Sequence, residues 1–386
     1  NVMLSETYEP TSQMTNGDSL IKANGQAFEL TSRGTGVVTL SLPTYVDLIG
    51  LNTTESKGWV LQGVIQEIEL GTGKVVFEWK SLDHIPLNET FATLATDGDG
   101  KSPATAFNYL DVNSVSLTTF HGDNFLVSGH NTHTIYFINR TTSNVDWRLN
   151  GKASSFSLSD AAKFHYQHDV HFLGKDENDI MLISLFNNDA NSHTKVSPQS
   201  AGLTLVLDIN QMTATLKKRY AAPTPGISSP TGGNLQQLSN GNYFIGWGAA
   251  SPFFTEFLPN GTVVMHVEYA PLNATTGGSP SITRSAWNGR PQDEPLIAGL
   301  ASGSGNNQST TYYASWNGAT EVAAWQFHAV DLIGGTPKPT VMETVQRTGF
   351  ETQWIVKGKR DMGFAEAVDW EGKVLGETDW VNVVAA

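Results

Sequence analysis

The feature that most narrows the fold of this chain is a unit of strand, tight polar turn and second strand, which recurs along its length with no long helical pattern between copies. Gly63-Val64-Ile65-Gln66-Glu67-Ile68-Glu69-Leu70 alternates apolar and polar side chains, turns at Gly71-Thr72-Gly73 and returns as Lys74-Val75-Val76-Phe77-Glu78-Trp79. Alternation with period two puts every second side chain on one face, as a half-buried strand requires. The same arrangement recurs at 135–148 (turning near Ser143), 203–219 (near Asn210), 253–267 (at Pro259-Asn260-Gly261), 324–342 (at Gly334-Gly335) and 364–375 (at Glu371-Gly372). These hairpins predict an all-β chain, a single β-propeller domain of about six blades over residues 1–386, since a small twisted sheet must stack on neighbours to bury its faces. A pair of β-sandwiches is the competing arrangement, but Greek-key connections would interrupt the hairpin order.

Composition excludes several partners. A net charge of -14 with no basic stripe predicts neither nucleic acid nor anionic membrane as a partner. Cysteine is absent, which removes disulfides, thiolate catalysis and cysteine metal sites. No apolar run approaches the roughly 18 residues that cross a bilayer. The stretches 221–233 and 270–280, rich in Pro, Ser and Gly, read as long surface connections. Sequons at Asn52, Asn88, Asn139, Asn260, Asn273 and Asn307 point to N-linked glycans and to secretion.

Chemistry concentrates in Phe164-His165-Tyr166-Gln167-His168-Asp169-Val170-His171, where three imidazoles and a carboxylate fall within eight residues. As a continuous strand it would put Phe164, Tyr166, His168 and Val170 on one face and His165, Gln167, Asp169 and His171 on the other. Edge or loop histidines satisfied by water or backbone are the alternative reading. No convincing second ligand set exists elsewhere, so neither a zinc site nor any cofactor is expected.

Longer blocks of sequence carry a resemblance. Gly58-Trp59-Val60-Leu61, 72–84 from Thr72 to His84, Asn113-Ser114-Val115, Trp147-Arg148-Leu149, Tyr166-Gln167-His168-Asp169, Trp247-Gly248 and 315–321 from Ser315 to Glu321 stand in the order found in the fungal arylsulfotransferase-like proteins, a family of secreted β-propellers that this chain resembles from about Met3 to Trp380. It departs from them at several positions. Asn24-Gly25-Gln26-Ala27-Phe28 stands where relatives carry Asp-x-His-Glu-Phe, Asp111 replaces a histidine, His130 an arginine, and Asn187 an aspartate. The resemblance also implies a family N-terminal region ahead of the strand at 3–8, either lost or retained as a cleaved separate fragment.

What the resemblance implies is chemistry on an aromatic or apolar small molecule. Sulfuryl transfer would use His168 as nucleophile, with cations stabilising the transferring anion, and most of those helpers are replaced here. Some similar fungal proteins are hetero-Diels-Alderases that join a tropolone o-quinone methide to a humulene-type alkene, and a pocket richer in neutral amides suits that reaction. In this reading His168, Asp169, Asp111 and Asn113 are the catalytic candidates. His130, Asn188, Gln236, Trp247, Arg284, Trp287 and Trp316 are the substrate-binding candidates, and Trp59, Trp79, Trp147, Trp354 and Trp370 pack between blades. A non-catalytic binding propeller is the third expectation.

Overall fold

The computed structural model describes residues 2–4, 10–13, 22–271 and 278–385, with side chains from Ala27 onward. The chain divides into two compact units, one running from Met14 to Ser285 and one from Ala286 to Ala386 together with Val2–Gln13.

The first unit contains four antiparallel meanders in strict chain order. They are Lys22–Leu30, Thr35–Asp47, Lys57–Glu69 and Val75–Lys80; Val112–Thr118, Asn124–Gly129, Thr134–Ile138 and Val145–Leu149; His168–Lys175, Ile180–Asn187, Ala201–Asp208 and Thr213–Ala221, with Ser157–Leu158 parallel on the outer edge; and Asn234–Gln237, Tyr243–Gly246, Phe253–Phe257 and Val263–Glu268. The second unit holds two further sheets, one built on Leu296–Ser302, Ser309–Ser315 and Glu351–Lys357. The other is built on Ala324–Ile333, Thr336–Gln346, Met362–Val368 and Val374–Glu377, where Ala324–Ile333 pairs with strands on both sides out of chain order. All six hairpins expected from the sequence are present. The chain is all-β, with six sheets of four or five strands among the described residues. Of the expected strand at 3–8, Val2–Leu4 is formed and 5–8 lie outside the described residues.

Position within each sheet explains residue choice. Inner strands such as Asn124–Gly129 and Thr134–Ile138 are buried throughout, because both faces meet neighbouring sheets. The last long strand of the third sheet, Thr213–Ala221, alternates instead, burying Ala214 and Tyr220 while Lys217 and Arg219 face water. Successive sheets share cores. Ile65, Trp79, Val115 and Phe125 join the first and second sheets. Leu126, Phe137, Val170 and Ile183 join the second and third, and Phe186, Leu235, Ile245 and Trp247 join the third and fourth. Trp79, Trp147 and Trp354 are buried as expected. Trp370 is not: it is 84 % exposed, because it stands at the tip of the 364–375 hairpin, where no neighbouring sheet covers it.

One ion cluster ties the first two sheets together. Glu67 is fully buried and accepts from Thr35 Oγ1 at 2.7 Å, Arg33 at 2.8 Å and Arg140 Nε at 2.8 Å. Burial alone would raise its pKa, but these three bonds outweigh it and hold the carboxyl below its usual range.

Candidate functional site

His168 opens the first strand of the third sheet and is 5 % exposed. Its Nδ1 lies 2.9 Å from Asn188 Oδ1, and the amide of Asn188 is fixed because its Nδ2 donates to the carbonyls of Ser229 at 2.7 Å and Gly232 at 2.8 Å. Asn188 must therefore accept from His168, which puts the ring proton on Nδ1. Nε2 is left with a lone pair, and the Gly232 N–H donates to it at 3.2 Å. Burial is the main cause that lowers the His168 pKa to about 4, followed by the nearby His130, so the ring is neutral at pH 7.

A cavity of about 60 Å³ lies against this ring, lined by Asn113, His168, Asp169, Gly232, Gly233, Pro280 and Ser281. Its walls depend on two glycines with positive φ. A Cβ at Gly232 would come 2.6 Å from the Pro280 carbonyl oxygen, and one at Gly233 would come 2.3 Å from the Phe186 ring. Asn113 donates through Nδ2 to the Gln167 carbonyl at 2.7 Å, while its buried Oδ1 has no protein partner.

Asp169 carries charge to the cavity and is itself held on both oxygens. One accepts from Leu235 N–H at 2.8 Å and the other lies 2.9 Å from His171 Nε2. Asp169 is the first cause that raises the His171 pKa to about 9, against the opposing effect of burial, and Glu29 adds a smaller attraction. At neutral pH the carboxylate is thus backed by an imidazolium. Sequence reasoning had found only lost cations here, since nothing in a linear motif shows which carboxylate a histidine meets.

A chain of rings leads away from the cavity. His130 lies 5.0 Å from His168 and 5.2 Å from Tyr166, and His133 lies 4.3 Å from Tyr166 and 5.2 Å from His165, as ring centroids. His130 Nδ1 is 3.6 Å from Asp111, and His165 Nδ1 is 2.9 Å from Asp189. Burial, then His165 and His130, lower the His133 pKa to about 3. Asp111, His133, Tyr166, Asp169 and Asp189 all have positive φ between 50° and 56°. Non-glycine residues rarely take this conformation, and it concentrates where function over-determines geometry.

These turns correct the expected alternation. The strand begins only at His168, and a register shift separates His168 from His171. With left-handed residues at Tyr166 and Asp169, Gln167 falls on the buried side and donates to Ser128 Oγ and to the Gly129 and Thr134 carbonyls.

Sequence comparison fixes the family. The sequence model of the Arylsulfotransferase (ASST) family matches residues 3–270. The chain belongs to this family. No curated protein is similar enough to match. Among solved structures, Kuenenia stuttgartiensis hydrazine synthase is 8 % identical with a TM-score of 0.32 over 93 % of this chain and 70 % of that one. A GH43 protein, BlXynB, from Bacillus licheniformis is 9 % identical with a TM-score of 0.27 over 92 % and 76 %.

Of the residues expected to form one site in this family member, the fold brings His168, Asp169, Asn113, Asn188, His130 and Asp111 together. Others lie elsewhere. Trp247 is fully buried in the core between the third and fourth sheets, where its Nε1 donates to Thr255 Oγ1 at 2.9 Å, so it shapes no cavity. Gln236 and Arg284 exchange bonds with each other, Gln236 Nε2 donating to the Arg284 carbonyl and Arg284 N–H to Gln236 Oε1, and the guanidinium of Arg284 pairs with Glu256. Trp287 and Trp316 belong to the second unit. Residues the sequence did not single out are Gly232, Gly233, Pro280, Ser281, His133 and Asp189; only the Gly-Gly doublet left a trace there. Among the described residues no group of histidines and carboxylates could hold a metal ion. Among the sequons, Asn52, Asn88, Asn260 and Asn307 are exposed, Asn139 is half-buried and Asn273 lies outside the described residues.

The histidines set a pH dependence of stability. The unfolded chain takes up protons near pH 6.5 that His168 and His133 refuse until about 4 and about 3, so their contribution is full above pH 6.5 and is lost as pH falls. For His168 the loss is on the order of 3 kcal/mol. His171 acts in reverse: its contribution is full below pH 6.5 and is lost as pH rises toward about 9. Urea midpoints between pH 4 and 9 should therefore peak near pH 6.5, and a midpoint that holds steady down to pH 4.5 would contradict the buried neutral rings.

Proposed function

We propose that this chain transfers a sulfuryl group between phenols, with His168 Nε2 as nucleophile. The observation that carries the reading is the Asn188 bond, which leaves that nitrogen unprotonated against the cavity at neutral pH. In the first step Nε2 bonds to the sulfur of an aryl sulfate while the S–O(aryl) bond breaks and the phenol oxygen leaves with the bonding pair. A second phenol then attacks sulfur, the N–S bond breaks, and the pair returns to Nε2. His130, whose Nδ1 lies 2.9 Å from Asn131 Oδ1 and 3.6 Å from Asp111, gives a proton to the departing oxygen and takes one from the incoming phenol. Once Nε2 is bonded to sulfur, the Gly232 N–H has no lone pair to donate to and is free to donate to a sulfuryl oxygen.

Size and charge bear on the choice. A cavity of about 60 Å³ suits the transferring group, with its aryl part outside. A terpene and a tropolone together need a site of the order of ~300 Å³ or more. The expectation of a hetero-Diels-Alderase is favoured by one fact, that no lysine or arginine lines the cavity. The imidazolium of His171 behind Asp169 weakens that argument, since the pair is neutral as a whole. Glycosylated passage through the secretory pathway belongs to the same proposal and is supported by the exposed sequons.

The test offers an aryl sulfate donor with a naphthol acceptor, and separately a quinone methide precursor with humulene. Transfer of sulfate to the naphthol supports the proposal. An enzyme-dependent change in cycloadduct stereochemistry without sulfate transfer would replace it by the second reading. Asn188→Ala is expected to lower sulfate transfer about a hundredfold, because the ring loses its tautomer lock and orientation. Its KM should change little.

A further inference from the structure

The second unit carries a groove of about 590 Å³ formed by its own residues, well inside the ~300–1,000 Å³ of small-ligand sites. Trp316 and the buried Pro295 supply its apolar wall. The indole is fixed: Nε1 donates to the Asp293 carbonyl at 2.6 Å, and the ring passes so close to Gly376 that a Cβ there would lie 2.8 Å away. Arg290, Glu294, Lys373 and Glu377 line the groove and are exposed to water. Neither the guanidinium of Arg290 nor the ammonium of Lys373 forms a hydrogen bond or ion pair among the described residues, although carboxylates share the groove with them.

Such a set discriminates by charge. An anion meets carboxylates that outnumber the cations, while Arg290 and Lys373 offset part of the attraction those carboxylates hold for a cation. A neutral polyhydroxylated ligand meets no penalty of either kind: its hydroxyls donate to the carboxylates and accept from Arg290 and Lys373, while a sugar's C–H face covers the indole. We infer that this groove binds a neutral oligosaccharide, independently of the chemistry at His168.

The full chain is titrated with neutral hexasaccharides of β-1,3-glucan, β-1,4-glucan, xylan, mannan and chitin, read by saturation-transfer NMR and calorimetry. At least one is expected to bind, with affinity lowered about tenfold by Trp316→Ala and by Arg290→Ala, and unchanged by His168→Ala. Arg290 is exposed, so its replacement keeps the test valid should Trp316→Ala not fold. Absence of binding across the panel overturns the inference, as does binding that survives both substitutions.

Discussion

His168→Ala is expected to lower sulfate transfer, with kcat falling by about 10³-fold or more, because in the proposed reaction the substitution removes the atom that bonds to sulfur. KM for the aryl sulfate should move far less, since a cavity of about 60 Å³ has room for the sulfuryl group and not for the aryl part. Some stability is lost as well. The deletion leaves Asn188 Oδ1 and the Gly232 N–H without their partner, at about 1–3 kcal/mol for each buried group left unpaired. A melting curve on the same sample separates the two effects. Added imidazole should restore part of the activity, because it fits the vacated space and brings back the nucleophile. Activity that survives in His168→Ala would move the chemistry to another residue.

The second large effect is on stability. Glu67→Ala should cost about 3 kcal/mol in urea unfolding, because two arginines and the Thr35 hydroxyl lose their common acceptor. The figure lies at the low end for a broken buried pair, because the side chains of Arg33 and Arg140 keep 35 % and 31 % exposure and can turn to water. Removing one arginine should cost less, since the other still neutralises the carboxylate. Removing both should cost more than the sum, since a fully buried charge is then unpaired. A double-mutant cycle on Arg33→Ala and Arg140→Ala checks this, and strict additivity would show that the cluster does not act as one unit.

Much of the fold was legible in the sequence because strands declare themselves locally. Gly71-Thr72-Gly73 and Gly334-Gly335 mark their reversals, and the alternating residues on either side have no other regular use. The candidate site was legible where the resemblance passes through it, at Asp111, Asn113, His130, His168, Asp169 and Asn188. Two physical causes hid the rest. Left-handed backbone at Tyr166 and Asp169 breaks the period on which any face assignment depends, so alternation could not show that Gln167 and His168 are both buried. Contacts between sheets join residues far apart in sequence, so Pro280 and Ser281, which wall the cavity together with Gly232 and Gly233, leave no local pattern. Trp247 was misread for the same reason, since a tryptophan beside glycine looks alike whether it borders a channel or fills a core.

The most direct measurement is mass analysis of the protein mixed with excess aryl sulfate in the absence of an acceptor, quenched at alkaline pH to spare an acid-labile N–S bond. The account predicts one added sulfuryl group, mapped to the peptide that contains His168 and discharged when a phenol is supplied. Turnover with no adduct on His168, or an adduct on another residue, would contradict it.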